Sequence, residues 1–217
     1  MRTIRTLFLL PAQLAATLAI LALMPTNPGK TAAFLTLWGI TFGRLIKPEV
    51  ILVVSACLFF TLMNVATLQR GIFAFNHPDI LGLPAYELFM WGFYLLHCKR
   101  FLNGPTPPFP STAAWTLALL YAAAFAAIPD PNLLLLVTGT LLLTALYLFH
   151  EPLDLAYTGY MIFLGTAIEY IGVKSGQWHY PDPPAGGVPF WFITLWGGVG
   201  LFLRRLMLPL VNKFGRR

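Results

Sequence analysis

Two of the chain's eight acidic residues, Glu87 and Glu169, fall inside long apolar runs. An ionisable side chain inside a membrane-spanning segment costs several kcal/mol unless it pairs or is neutral, which makes it a functional candidate. Glu87 lies three residues after Pro84, and Glu169 lies five residues before Lys174. At about 1.5 Å rise per residue both are expected roughly 5 to 8 Å below one membrane boundary, at a shared depth. Two carboxyls in one dry pocket would not both ionise, and the one that keeps its proton is a general acid. The alternative reading is that each Glu bonds a backbone carbonyl, Asn64 or a tyrosine and only ties helices together.

The neighbours are aromatic. Glu87, Met90, Trp91 and Tyr94 follow the i, i+3, i+4, i+7 spacing of one helix face. Thr158, Ile162, Gly165, Thr166, Glu169 and Gly172 form a stripe rich in small residues, which suits close helix packing. Aromatic faces stabilise cations by about 2 kcal/mol when desolvated. Acid and aromatics together suit chemistry that protonates an alkene and shelters a carbocation. Catalytic candidates are therefore Glu87 and Glu169, with Trp91, Tyr94, Asn64, Trp178, Tyr180 and Tyr86 as candidate substrate contacts.

The elements that must position these residues are membrane helices. The chain has 217 residues, of which 58% are hydrophobic and 10% charged, whereas a soluble domain carries about 25% charged residues. Apolar stretches near the ~20 residues that cross a bilayer run over about 7–24, 31–46, 50–68, 84–98, 112–128, 132–149, 155–173 and 189–203. Proline and glycine mark the breaks, at Pro25 to Gly29, Lys47-Pro48-Glu49, Asn103 to Pro110, Pro129-Asp130-Pro131 and Pro181 to Pro189. The expected fold is an all-α integral membrane protein of about eight spans, forming a single membrane domain over 1–217. The first segment follows Arg2 and Arg5 but lacks a small-x-small cleavage site near Met24, and it is read as a span.

Basic residues set the orientation. With the N-terminus inside, Arg2, Arg5, Arg44, Lys47, Lys99, Arg100, Arg204, Arg205, Lys213, Arg216 and Arg217 fall on the cytoplasmic side. Lys30, Arg70 and Lys174 fall outside. This bias places both termini in the cytoplasm and the protein in the cytoplasmic membrane. The net charge of +6 is spread in ones and twos between apolar runs, so a nucleic-acid partner is not expected.

Other chemistries find no pattern. His77, His97, His150 and His179 form no HxxxH or HExxH, and His150-Glu151-Pro152-Leu153-Asp154 reads as a tight polar turn rather than a metal site. Cys57 and Cys98 have no CxxC spacing and are read as packing residues. Ser55, Ser111 and Ser175 have no triad partners, and no nucleotide, flavin, haem or metal motif is present, so no cofactor is expected.

The chain also repeats itself. Gly71-Ile72-Phe73-Ala74-Phe75-Asn76-His77-Pro78-Asp79 leads to Leu83-Pro84 and then Trp91-Gly92. Gly176-Gln177-Trp178-His179-Tyr180-Pro181-Asp182 leads to Val188-Pro189 and then Trp196-Gly197, with the same Pro to Trp-Gly spacing. Each copy is an aromatic outer loop followed by a helix opened by proline. The implied unit is four helices used twice in parallel orientation, over about 1–104 and 111–210, with the site expected where the halves meet.

At this loop the sequence resembles the lycopene cyclase domain of carotenoid synthesis, whose pattern is Gly-Ile-Trp-x-Tyr/Phe, a glycine, and Leu-Pro-Leu-Glu-Glu opening a helix with Phe soon after. Here Gly71-Ile72-Phe73-Ala74-Phe75, Gly82, Leu83-Pro84-Ala85-Tyr86-Glu87 and Phe89 stand in those places. Tyr86 replaces the first Glu, and the second copy has Val188-Pro189-Phe190-Trp191-Phe192. The run Glu169-Tyr170-Ile171-Gly172-Val173-Lys174-Ser175-Gly176 is similar to one in a related carotenoid hydratase family. The resemblance implies a membrane enzyme acting on an apolar isoprenoid or other lipid by acid-catalysed cyclisation, isomerisation or hydration. It identifies Glu87 as the surviving member of an acidic pair, with Glu169 as its partner. The other expectations are a non-catalytic membrane protein that binds a lipid or pigment or assembles with a partner, and a small transporter.

Overall fold

Runs of leucine, alanine and phenylalanine broken by proline, glycine and capping side chains produce a chain of helices. The computed structural model describes residues 4–181 and 183–215, with side chains of the first helix from Phe8 onward. Arg2, Asp182, Arg216, Arg217 and the Arg5 side chain lie outside the described residues. The helices are α1 (Ile4–Leu23), α2 (Asn27–Phe42), α3 (Lys47–Gln69), α4 (Glu87–Leu102), α5 (Thr112–Ala127), α6 (Pro131–Phe149), α7 (Pro152–Lys174) and α8 (Trp191–Gly215). The starts of α2, α5 and α6 are fixed by Thr26, Ser111 and Asp130, whose side chains accept the N–H of Gly29, Ala114 and Leu133.

Three of these helices, α3, α6 and α8, are long and apolar enough to cross a membrane, and Phe8–Leu23 and Thr112–Ala127 are shorter apolar helices. Val54, Leu58, Phe59 and Leu62 on α3 are exposed. Such faces are costly in water and neutral in lipid. The protein is all-α and suited to a membrane.

Most helix boundaries differ from the expectation by a few residues, as at α2, found at Asn27–Phe42 rather than 31–46, and two of the differences have a visible local cause. Helix α4 starts at Glu87 rather than Pro84. Pro84, Ala85 and Tyr86 form a tight turn whose carbonyls accept the N–H of Glu87, Leu88 and Phe89. Helix α8 runs past 203 to Gly215 through a π-helical turn, Leu203–Met207. Arg204 and Arg205 in that turn are held by carboxylates, so charge does not end the helix there.

The chain divides into two compact units, Met1–Phe101 with Ala167–Val188, and Leu102–Thr166 with Pro189–Arg217. In the first, α2 and α4 meet through aromatic stacks: Trp38 lies flat on Phe93 at 4.5 Å and on Phe34 at 5.4 Å. Trp91 of α4 stacks on Phe60 of α3 at 4.0 Å. A Cβ on Gly92 would overlap Val53 and Cys57 of α3, so this glycine sets how closely α4 approaches. Cys57 and Cys98 are free thiols used in packing, as expected.

In the second unit α5, α6 and α8 pack around Leu117, Tyr121, Leu142, Ala145 and Leu201. The Tyr121 hydroxyl donates to the Thr194 carbonyl, and the Thr138 and Thr194 hydroxyls are bonded at 2.7 Å. Each pairing satisfies a polar group that would be expensive in an apolar interior.

Both copies of the repeated loop open in the same way. Gly71 has φ 68° and Gly176 φ 69°, and Gly82 and Gly187 have 82° and 84°. Gly71 and Ile72 donate to Leu68 and Thr67, while Gly176 and Gln177 donate to Val173 and Gly172. These are left-handed helix ends that favour glycine. Beyond them the copies pair with each other, as strand β1 (Ala74–Phe75) lies antiparallel to β2 (Trp178–His179) with Ala74 opposite His179 and Phe75 opposite Trp178.

Candidate acid and aromatic site

The reversal at Gly176 folds the second loop back over the end of α7. Trp178 then lies against Gly172, where a Cβ would overlap the indole ring. From that position Trp178 Nε1 donates to Glu169 Oε2 at 3.1 Å, and the Tyr180 hydroxyl donates to the same oxygen at 2.8 Å. Glu169 is 8% exposed. Burial, with the Glu169 carboxylate beside it, pushes the Tyr180 phenol above its ordinary range, so this loop side chain stays a donor.

Glu87 occupies the first turn of α4 and is 7% exposed. It interacts electrostatically with Glu169, and both carboxyls interact with Tyr94 and Tyr180. The two acids therefore lie within electrostatic reach of one another, in a single compact unit that combines residues from both expected halves. They differ in one respect. Glu169 is fixed by two donors, whereas the Glu87 side chain makes no hydrogen bond among the described residues.

The remaining candidates are buried in the same unit. Tyr86 is fully buried, and its hydroxyl donates to Gln177 Oε1 at 3.4 Å. Trp91 meets Tyr94 edge to face at 5.8 Å while its ring lies on Phe60. Asn64 is buried on α3, where its backbone carbonyl accepts the Thr67 hydroxyl.

A Tyr180→Phe substitution keeps the ring and deletes its hydrogen bond to Glu169. A hydrogen bond to a charged group contributes about 1.5 to 3 kcal/mol. The expected result is a lower thermal midpoint for the detergent-solubilised protein, and an unchanged midpoint would mean the phenol does not hold Glu169.

No protein-family model, curated protein or solved structure matches this chain.

Several polar residues that shape the site were not among those singled out from sequence. Lys30, counted with the outer cations, is only 2% exposed; its ammonium donates to Gln177 Oε1 and sits 5.7 Å from the centre of the Tyr86 ring. Asp79 Oδ2 accepts from the Ala85 N–H at 2.9 Å and the Asn27 amide at 3.0 Å, which ties the first loop to α2 and the entry to α4. No local pattern marks Lys30 or Gln177, because their contact spans the chain.

The charged residues at the other helix ends form ion pairs. Glu49 of α3 binds Lys99 at 3.0 Å and Arg100 at 2.7 Å. Asp154 of α7 binds Arg204 and Arg205. These residues are separated by the same 105 positions as Gly71 and Gly176 (49 to 154, 99 to 204, 100 to 205). Extending the loop repeat along the chain by that offset is the signal that finds them. Arg204 beside Glu151 holds its carboxyl below the usual carboxylate range. His150 ends α6 with φ 35° as the polar turn expected, and His97 is bonded to Gln13 at 2.9 Å in the other unit.

Proposed function

We propose that the chain crosses a membrane eight times with both termini cytoplasmic, as a four-helix unit used twice in parallel orientation. The repeated loop turns and the two ion-pair sets at a constant offset support the repeat. The cation bias supports the orientation, and with it the cytoplasmic membrane.

Within that membrane the protein is an enzyme of carotenoid or isoprenoid metabolism, acting on an apolar polyene by acid-catalysed cyclisation, isomerisation or hydration. The observation that carries this reading is the unequal acid pair: an untied Glu87 beside a Glu169 fixed by Trp178 and Tyr180. Glu87 is the general acid. It transfers its proton to an alkene carbon, which forms one C–H bond and leaves a carbocation on the substrate. The faces of Trp91, Tyr94 and Trp178 stabilise that cation. Loss of a neighbouring proton to a carboxylate gives a cyclised or isomerised product, and addition of water, with transfer of its extra proton to a carboxylate, gives a hydrate. The sequence is redox-neutral.

The test is pigment and isoprenoid profiling, by chromatography with mass detection, of a lycopene-accumulating host expressing the chain or its Glu87→Gln variant. The wild type is expected to yield a product isobaric with lycopene or heavier by one water. The variant is expected to lose it by about 10² to 10⁴-fold, the size of a general-acid contribution. An unchanged lycopene pool, with the protein present in the membrane fraction, would overturn carotenoid chemistry. It would favour a second reading, a non-catalytic lipid- or pigment-binding or assembly protein, for which the two donors on Glu169 are structural ties.

A further inference from the structure

A groove of about 230 Å³ lies in the first unit, lined by Trp38, Gly39 and Phe42 of α2, Val53 of α3, and Phe89 and Phe93 of α4. It extends along α2 from Leu35 to Phe42, about 10 Å of helix, and continues to Gly43 and Leu45. Its wall is apolar and aromatic, with a floor made wide by glycine: a Cβ on Gly39 would meet nothing within 4 Å. Such a lining suits a hydrocarbon chain, and neither acid is part of it.

The charge at one end of the slot says which lipid. Gly43 and Leu45 line that end on either side of Arg44, and Lys47 follows at the start of α3. Both cations are exposed, and neither has a carboxylate partner among the described residues. The nearby carboxylate, Glu49, is already engaged by Lys99 and Arg100. Arg100 also donates to the Phe42 carbonyl at 2.7 Å and stacks over the Phe42 ring. Four cations against one carboxylate leave this end positive, and basic residues beside a cytoplasmic membrane surface attract anionic lipid.

We infer that this groove is a binding site for an anionic phospholipid, with one acyl chain along α2 beside Gly39 and the phosphate headgroup at Arg44 and Lys47. The inference rests on the membrane reading of these helices and not on the catalytic one. Membrane fractionation reads the first independently, and lipid retention needs no turnover.

The experiment is native mass spectrometry of the full-length chain in detergent, titrated with phosphatidylglycerol or phosphatidylcholine. Wild-type protein is expected to retain one phosphatidylglycerol about fivefold or more in preference to phosphatidylcholine. Arg44→Gln with Lys47→Gln, an exposed pair whose replacement leaves the fold intact, is expected to abolish the preference while leaving phosphatidylcholine adducts unchanged. Gly39→Leu, which fills the slot, is expected to lower retention of both lipids at least fivefold. Equal retention of the two lipids by wild type would overturn the site, as would variants that bind like wild type.

Discussion

Asp154→Asn is expected to destabilise the protein by about 3 kcal/mol, the lower end of what removing one partner of a buried ion pair costs. Asp154 is 0% exposed, and it binds Arg204, itself 2% exposed, together with Arg205. An amide in its place leaves two guanidinium groups with, among the described residues, only the half-exposed Glu151 as carboxylate partner. The substitution should lower the thermal midpoint in detergent by roughly 6 to 12 °C, from about 2 to 4 °C per kcal/mol for a chain of this size. Glu49→Gln at the corresponding place provides the comparison. Its partners Lys99 and Arg100 are 22% and 24% exposed and can regain water, so its shift should be less than half as large. Equal shifts from the two substitutions would mean that burial does not set the strength of these pairs.

Gly172→Ala is expected to cost about 2 to 4 kcal/mol. The added methyl overlaps the Trp178 ring, and overpacking of this kind costs about 1 to 3 kcal/mol. Displacing the ring also stretches the Trp178 bond to Glu169, so the loss reaches the site as well as the fold. Gly159→Ala in the same helix is the control. A Cβ there meets nothing within 4 Å, and alanine in a helix interior gains about 0.5 to 1 kcal/mol over glycine. Thermal unfolding of the two variants should therefore move in opposite directions. If Gly172→Ala also stabilises, the indole does not seat on this glycine.

The sequence made much of this legible. Hydrophobic runs and Pro-Gly breaks located each helix to within a few residues, except where α8 continues to Gly215. The start of α4 lies three residues beyond the expected Pro84 because Pro84 opens a tight turn before the helix begins. The small-residue stripe of α7 anticipated close packing, and Gly165 and Gly172 receive the rings of Trp196 and Trp178. Glu87, Glu169, Trp178 and Tyr180 were recognisable because acids inside apolar runs and aromatics after a turn glycine are rare enough to stand out.

By itself the sequence determined the local events: where helices start and stop, which loops reverse at glycine, and which face of a helix is apolar. These depend on backbone preference and on residues within a few positions of one another. Only the tertiary structure decided which polar groups meet. It bonded Lys30 to Gln177, 147 residues away. It also gave Glu169 two donors while Glu87 received none among the described residues. It paired the two loop copies with each other as β1 and β2. The physical reason is that a buried polar group must find a partner wherever the packed chain supplies one, and the partner's place in the sequence has no bearing on its distance in the fold.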